Sequence, residues 1–324
     1  MNRYLVTGAA GFIGSHLVEE LLNTGNYVIG LDNLSTGNID NLDFTKNHKN
    51  KINFKFIKGD IRSIDTCKEA CQDIDFILHQ AALGSVPRSI KEPSLYHDNN
   101  ITGTLNMLIA AKESKVKRFV FASSSSVYGD TPTLPKIETM ENHPKSPYAV
   151  SKLVGEHYCK LFNELYNLPT VMLRYFNIFG ARQNPNSQYA AVIPKFITSF
   201  LSNIPPEIHG DGFQTRDFTY IKNVIKANIN ACTCKKEAYG EPFNIGCGDR
   251  ISINDLTQTI QRITKSKTNP VYKEKRAGDV KDSLASITKA ESLLNLNNII
   301  QLKDGLSETI QWYENEYKLE TVPN

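Results

Sequence analysis

The sequence predicts an α/β protein with a Rossmann-type, doubly wound parallel sheet and a smaller carboxy-terminal α/β domain. In the first half of the chain, short apolar runs typical of buried strands alternate with segments of helical periodicity. The first run leads into a glycine-rich turn, and the alternation stops after Asn177, where loop residues become frequent. We therefore expect one domain over residues 1–176 and a second over 177–324, with a segment near 213–240 that returns to the first.

The composition is that of an ordinary globular protein. The chain has 324 residues, 40% of them hydrophobic and 22% charged, which is ample for a large core. The net charge is +3 and no block of Lys or Arg is present, so we expect no nucleic-acid partner. No apolar run reaches about 18 residues and the first strand begins at Arg3, so we expect no membrane span, no signal peptide and a cytoplasmic location. The six cysteines lack zinc spacing, and we expect reduced thiols and no metal site.

The first strand is followed by Gly8, Gly11 and Gly14, then an apolar helix and a second strand that ends at Asp32. This order is the dinucleotide-binding arrangement. Gly8 would allow the tight turn, Gly11 the approach of the pyrophosphate, and Gly14 close packing of helix and strand, with the helix N-terminus facing the phosphates. Asp32 would accept hydrogen bonds from the ribose hydroxyls and repel a 2′-phosphate, which favours NAD over NADP.

Three further strands are predicted, at residues 53–57, 75–78 and 119–122. Asp60 follows the first of these, where it could bind the adenine amine or could instead cap the helix after Ser63. The small residues of segment 79–84 would let the backbone lie against the cofactor. Asn99, near the start of a helix over 98–114, could brace the ribose or nearby backbone.

Tyr148 and Lys152 lie four residues apart at the start of a predicted helix, with Ser146 as its cap and Pro147 in its first turn. Side chains at this spacing share one helix face, so the ammonium would favour the phenolate and lower a pKa that is ordinarily about 10. A positively charged nicotinamide would act in the same direction. The serine run 123–126 would lie at the carboxyl edge of the sheet, where ligands bind. Without the dinucleotide motif and these serines, an ordinary surface helix would explain the pair equally well.

Together with Asp98-Asn99-Asn100 and the segments 124–130, 173–177 and 276–280, these motifs resemble the extended short-chain dehydrogenase/reductases. Within that family, the chain is similar to the NAD-dependent sugar-nucleotide epimerases over nearly its whole length. The resemblance implies that Ser124 is the catalytic serine, with Ser125 and Ser126 as helpers, that Tyr148 is the base and acid, and that Lys152 holds the nicotinamide ribose. Motif and resemblance together predict contacts to NAD from Gly8, Gly11, Phe12, Ile13, Gly14, Asp32, Asn33, Asp60, Ile61, Gln80, Ala81, Ala82, Asn99, Tyr148, Lys152 and Tyr175.

The resemblance also implies a UDP-sugar substrate. Asn177 and Arg216 would reach the sugar and the diphosphate, and Arg276 and Asp279 the diphosphate and the uridine ribose. Two guanidinium groups suit a diphosphate, although either arginine alone could instead form an ion pair on the surface. The residues predicted to contact the substrate are Gly84, Ser85, Ser124, Ser125, Ser126, Tyr148, Asn177, Ala191, Val192, Arg216, Arg276, Asp279 and Ser283.

Ser283 occupies the family position that gates the sugar pocket. A bulky aromatic residue there restricts the pocket to plain hexoses, whereas a small residue admits an N-acetyl group. The resemblance therefore favours 4-epimerisation of UDP-GlcNAc and UDP-GalNAc, with UDP-Glc and UDP-Gal as further substrates.

Three alternatives remain open. UDP-glucuronate 4-epimerases can share the serine-rich segment. Sugar-nucleotide 4,6-dehydratases and decarboxylases place an acid where Ser125 and Ser126 stand, which disfavours them. A non-catalytic NAD-sensing regulator would commonly lack the Tyr148 and Lys152 pair. The resemblance also implies a homodimer in which the helices that begin near Asn99 and Tyr148 pair with their copies, although their apolar faces could equally belong to the core of one chain.

Overall fold

The computed structural model describes residues 1–185, 191–275 and 281–321, with residues 317–321 described in their backbone only. Its strands are β1 (Arg3–Thr7), β2 (Tyr27–Asp32), β3 (Phe54–Lys58), β4 (Phe76–His79), β5 (Arg118–Ser124), β6 (Thr170–Tyr175), β7 (Ile178–Phe179), β8 (Glu207–His209), β9 (Thr215–Arg216), β10 (Thr219–Tyr220), β11 (Glu241–Ile245), β12 (Ile251–Ser252) and β13 (Val271–Lys273). Its α-helices are α1 (Phe12–Asn23), α2 (Phe44–Asn47), α3 (Ile64–Ala70), α4 (Val86–Lys91), α5 (Pro93–Tyr96), α6 (Gly103–Glu113), α7 (Pro147–Tyr166), α8 (Val192–Leu201), α9 (Ile221–Thr233), α10 (Ile253–Thr264), α11 (Thr288–Leu294) and α12 (Leu302–Thr321).

Seven strands form one parallel sheet in the order β3-β2-β1-β4-β5-β6-β11. Alternate strand residues point to opposite faces. Leu5 and Ile77 pack in one buried cluster with side chains of α3, α6 and α7, whereas Val6 and Leu78 pack in another with side chains of α1 and α9. Helices therefore cover both faces, and the predicted doubly wound α/β fold is confirmed.

The strand order reverses between β1 and β4, because β2 and β3 extend the sheet on one side of β1 and β4 to β6 on the other. In an open parallel sheet, this reversal leaves a crevice beyond the carboxyl ends of the two strands. The glycine turn follows β1 and the segment beginning at Gln80 follows β4. The topology thus places these two segments at the ligand-binding edge.

After β6, the chain forms short two-stranded ladders: β7 with β10, β9 with β12, and β8 with β13. Helices α8, α10 and α12 contribute apolar side chains to the buried cluster that also holds Val6. Between β10 and β12 the chain returns to the main sheet: α9 packs in the buried cluster that holds Val6, and β11 pairs with β6. The division of the chain at residue 176, with a segment near 213–240 belonging to the first domain, stays a prediction.

Candidate active site

The glycine turn is shaped by backbone contacts that leave no room for side chains. Gly8 has a φ of +67°, and a Cβ placed on it would lie 2.9 Å from the backbone nitrogen of Ala81. A Cβ on Gly14 would lie 2.0 Å from the carbonyl oxygen of Gly8, so the first turn of α1 packs directly on the turn. Gly11 precedes α1, and no side chain caps this helix end. The first N–H groups of α1 are therefore available to an anion such as a pyrophosphate.

A cavity of about 350 Å³ opens beside this turn and reaches α7. Gly59 and Ile61 form its wall near the end of β3, where Asp60 is not part of the wall. The uncapped end of α1 suits the pyrophosphate of NAD, and the acidic side chain at the end of β2 suits its ribose. The predicted cofactor residues that line it are Gly8, Gly11, Phe12, Ile13, Gly14, Asp32, Asn33, Ile61, Gln80, Ala81, Ala82, Asn99, Tyr148, Lys152 and Tyr175.

Asp32 is fixed by two backbone N–H groups. Its Oδ2 accepts from Ala10 at 2.9 Å and its Oδ1 from Leu34 at 2.8 Å. Burial raises the pKa of this carboxyl group, and the two hydrogen bonds act in the opposite direction. Each oxygen keeps lone-pair capacity for a further donor, which suits the ribose hydroxyls expected there.

Asp60 is held by neighbouring side chains rather than presented to the cavity. Arg62 donates to both of its oxygens, at 3.0 and 2.7 Å, and Asn33 Nδ2 donates to Oδ2 at 2.9 Å. The hydrogen bond from Arg62 is the main reason that the pKa of Asp60 falls to about 2. The alternative role as a helix cap is wrong, because Ser63 Oγ caps α3 by accepting from the N–H of Thr66. An adenine contact from Asp60 stays a prediction.

The segment after β4 is anchored by buried polar side chains that local sequence patterns did not reveal. Gln80 and Tyr175 share a hydrogen-bond network with Asn228: Gln80 Nε2 donates to Asn228 Oδ1 at 3.0 Å, and the Tyr175 hydroxyl donates to Gln80 Oε1 at 3.2 Å. Thr7 Oγ1 accepts from the Ala81 N–H at 3.1 Å. These contacts fix the backbone that forms one side of the cavity.

Tyr148 and Lys152 lie in the first turns of α7. As predicted, the helix begins at Pro147, and Ser146 Oγ caps it by accepting from Ala149 N–H at 3.2 Å. The ammonium of Lys152 lies 5.9 Å from the centre of the Tyr148 ring, and both side chains line the cavity. The predicted sharing of one helix face thus places phenol and ammonium against the same cavity.

Burial is the largest influence on the pKa of both Tyr148 and Lys152. The pKa of Tyr148 is raised because packing desolvates the phenolate, while the neighbouring hydroxyl of Ser124 acts to lower it. Lys152 Nζ donates to the carbonyl oxygen of Ala122 at 2.7 Å, and burial lowers the pKa of its ammonium to about 8. The expected lowering of the phenol pKa is therefore wrong for the protein alone, since desolvation of the buried phenol is the largest cause and raises the pKa.

Beneath the serine run lies a buried ion pair. Glu156, one helical turn after Lys152, accepts from Arg174 Nε at 2.9 Å and Nη2 at 2.7 Å. Ser123 Oγ donates to the same carboxylate. The pair ties the end of β5 to α7 and β6 and so fixes the strand end that continues into Ser124.

The remaining serines form the short turn after β5. Ser124 Oγ accepts from the N–H of Ser126 at 3.2 Å, which starts a 3₁₀ turn over Ser125–Tyr128. The Ser126 hydroxyl is buried with no hydrogen-bond partner among the described residues. A buried hydroxyl of this kind is available to a ligand.

A second cavity, of about 520 Å³, is lined by four predicted substrate residues: Asn177, Ala191, Val192 and Arg216. Ser283 lies beside it, because its Oγ accepts from Asn177 Nδ2 at 3.1 Å. Gly84 lines the dinucleotide cavity, and Ser85 caps α4 by accepting from the N–H of Arg88. Arg276 and Asp279 lie outside the described residues. Lys195 also lines the second cavity and was not predicted.

Two kinds of feature are absent from the described residues: metal-binding clusters and membrane-spanning helices. Within residues 1–185, 191–275 and 281–321, no cluster of His, Cys, Asp or Glu could hold a metal ion. No helix in the described part of the chain combines the length and apolar character that crossing a membrane requires.

Comparison with known proteins gives consistent results. The structure of a UDP-N-acetylglucosamine 4-epimerase from Methanobrevibacter ruminantium M1, in complex with UDP-N-acetylmuramic acid, matches with a TM-score of 0.91 and 40% identity, over 97% of this chain and 99% of that chain. The UDP-glucose 4-epimerase of Mycolicibacterium smegmatis is 35% identical over 316 residues, which are 97% of this chain and 99% of the relative. A UDP-glucuronic acid 4-epimerase from Bacillus cereus, in complex with UDP-glucuronic acid and NAD, matches with a TM-score of 0.89 and 36% identity, over 97% of this chain and 100% of that chain.

The family model described as the NAD dependent epimerase/dehydratase family matches residues 4–246, well over half of the sequence. This match agrees with the predicted resemblance and with the cavity that begins at the glycine turn. The chain therefore belongs to the NAD dependent epimerase/dehydratase family, and its cofactor is NAD.

Proposed function

We propose that the protein is a 4-epimerase that interconverts UDP-GlcNAc and UDP-GalNAc through a 4-keto sugar. One observation carries the proposal: the phenol of Tyr148 and the ammonium of Lys152 stand together on the wall of the dinucleotide cavity. This arrangement supplies a proton acceptor next to the place where the nicotinamide ring would bind.

Tyr148 has the chemistry of the base and acid. Its phenolate would take the proton of the sugar 4-hydroxyl while Ser124 shares the hydrogen bond, and the phenol would return a proton when the 4-keto sugar is reduced. Help of this kind is worth roughly 10²–10⁴-fold in rate. Bound NAD supplies reversible hydride acceptance, and its positive charge when oxidised favours the phenolate. Because the hydride is returned, the reaction consumes no external reductant.

The second cavity suits the nucleotide diphosphate. Arg216 and Lys195 both line it and place two positive charges there. Arg216 Nη1 donates to the carbonyl oxygens of Thr215 at 2.9 Å and Lys281 at 3.0 Å, which orients the guanidinium group. Charged hydrogen bonds to a diphosphate would anchor the substrate while the flat 4-keto sugar turns over.

Ser283 supports an N-acetylated sugar. Its hydroxyl accepts from Asn177 Nδ2 at 3.1 Å and from the N–H of Asp217 at 3.3 Å, so the small side chain is held against the protein. The bound ligand of the Methanobrevibacter structure is an N-acetylated UDP-sugar. The Mycolicibacterium and Bacillus relatives are described as acting on other UDP-sugars, and the choice among substrates calls for a direct assay.

The assay uses the purified protein with NAD, no added reductant, and UDP-GlcNAc, UDP-GalNAc, UDP-Glc, UDP-Gal or UDP-glucuronate. We expect the N-acetylated pair to be interconverted fastest. In Ser283→Tyr, we expect a loss of that activity of at least roughly 10-fold, with activity on UDP-Glc retained. Ser283→Ala, which keeps the side chain small, is the matched control and should retain activity on the N-acetylated pair. Faster conversion of UDP-glucuronate, or an unchanged Ser283→Tyr enzyme, would contradict the proposed substrate.

The proposal includes the predicted homodimer. Helix α7 leaves Val150, Leu161 and Leu165 exposed at 43%, 44% and 65%. A second copy of the chain packed against this face would remove these apolar side chains from water. Light scattering of the purified protein should give twice the mass of the chain, and a monomer at micromolar concentration would contradict this part of the proposal.

A further inference from the structure

Two buried side chains hold the loop 83–85, which follows the cofactor-binding segment after β4. Tyr96 ends α5 and is 1% exposed, and Asn100 lies in the π-helical turn His97–Thr102 and is 2% exposed. In this turn the N–H of Gly103 bonds to the carbonyl oxygen of Asp98, five residues back. The wider turn lets Asn99 line the dinucleotide cavity while Asn100 faces the loop.

The amide of Asn100 joins the loop to α7. Its Oδ1 accepts from the N–H of Leu83 at 2.8 Å, and its Nδ2 donates to the carbonyl oxygen of the same residue at 3.1 Å. Nδ2 also donates to Ser151 Oγ at 3.0 Å. Ser151 Oγ in turn donates to the carbonyl oxygen of Tyr148 at 2.7 Å. One side chain therefore connects the loop to the helical turn that carries the phenol.

Tyr96 also connects the loop 83–85 to α7, through its hydroxyl and its ring. Its hydroxyl accepts from the N–H of Ser85 at 3.0 Å. Its ring meets the ring of Tyr148 edge to face, with centroids 6.4 Å apart and planes at 88°. The loop is therefore joined to α7 in two ways. Asn100 joins it through Ser151, and Tyr96 joins it through the ring of Tyr148.

We propose that Tyr96 and Asn100 are positioning residues that fix the phenol of Tyr148 relative to the loop 83–85. Neither of them lines the dinucleotide cavity, so they act through Tyr148 and through the loop, whose Gly84 does line it. The inference rests on the proposed role of Tyr148 as base. Proton transfer depends steeply on placement, and a displacement of about 1 Å can lower a rate by roughly 100-fold.

Asn223 provides a matched control for Asn100. It is also 2% exposed, and its amide likewise bonds to both backbone groups of one residue. It accepts from the N–H of Ile300 at 2.8 Å and donates to the carbonyl oxygen of Ile300 at 2.8 Å. Asn100→Ala and Asn223→Ala therefore remove similar hydrogen bonds at different places. We expect both to lower the unfolding midpoint, but only Asn100→Ala to lower kcat, by at least roughly 10-fold with KM and bound NAD nearly unchanged.

A second pair of variants removes a single hydroxyl. Tyr96→Phe frees the N–H of Ser85 and keeps the ring, whereas Tyr220→Phe removes a comparable bond from a buried tyrosine to Glu308 Oε2, at 2.9 Å. We expect a loss of kcat only in Tyr96→Phe. This pair decides the question if Asn100→Ala does not fold.

Two results would overturn the inference: a kcat of the Asn100 and Tyr96 variants within about twofold of wild type, or an equal loss of kcat in the controls. Tyr148→Phe is assayed alongside. If it turned over as fast as wild type, the proposed function would fail and this inference with it. Full kcat in the Asn100 and Tyr96 variants beside an inactive Tyr148→Phe would overturn only the positioning role.

Discussion

Replacing Glu156 with glutamine tests the buried ion pair that holds the carboxyl end of β5. Glu156 and Arg174 have side chains that are only 6% and 3% exposed, and their closest atoms lie 2.7 Å apart. The glutamine keeps the shape but removes the charge, which leaves the guanidinium group buried without a counter-ion. Breaking a buried pair in this way costs roughly 3–5 kcal/mol. That is a large part of a total stability of roughly 5–15 kcal/mol.

The assay is equilibrium unfolding in urea followed by circular dichroism. Glu113→Gln is the matched control, since Glu113 pairs with Lys68 at 3.1 Å with side chains 48% and 47% exposed. An exposed pair contributes about 0–1 kcal/mol, so this variant should remain close to wild type. A loss below about 1 kcal/mol in Glu156→Gln, or a loss equal to that of the control, would refute the assignment of a stabilising role to the buried pair.

Two further predictions concern buried charges. Lys152→Met should abolish turnover without lowering the free energy of unfolding at neutral pH. The folded-state pKa of Lys152 near 8 lies below the ordinary 10.5, so the buried ammonium opposes folding. A large loss of stability in urea would contradict this. Asp217 accepts backbone N–H groups of Cys247, Gly248 and Ala285, and burial raises its pKa from 3.8 to about 6. The folded protein thus holds an extra proton between these values and gains stability as the pH falls through 6. The stability of wild type relative to Asp217→Asn should grow from about pH 7 to about pH 5, and a shrinking difference in urea titrations would contradict the assignment.

Local sequence patterns predicted the parts of the site that depend on neighbouring residues. Gly8 stands where the backbone turns with a positive φ, and Asp32 ends the strand that follows the first helix. Tyr148 and Lys152 share a helix face because of their spacing alone. In a parallel sheet, strand ends meet at one edge, so the pattern of strands also predicted that these residues would approach one another.

Contacts between distant segments could not be predicted in this way. The bond from Asn100 to Leu83 and the pair of Glu156 with Arg174 depend on the packing of separate elements, and nothing in their spacing distinguishes them from surface residues. The direction of the Tyr148 pKa shift also escaped prediction, because a four-residue spacing indicates which charge is near but not how deeply both groups are buried.

In the proposed reaction, the phenol of Tyr148 moves the proton of the sugar 4-hydroxyl. This role is measured by single-turnover conversion of UDP-GalNAc by Tyr148→Phe, with bound NAD determined in the same sample. We expect wild-type NAD content and a rate lower by roughly 10²–10⁴-fold at every pH. Wild-type NAD content with a rate within about tenfold of wild type would contradict the claim and place the base elsewhere in the cavity.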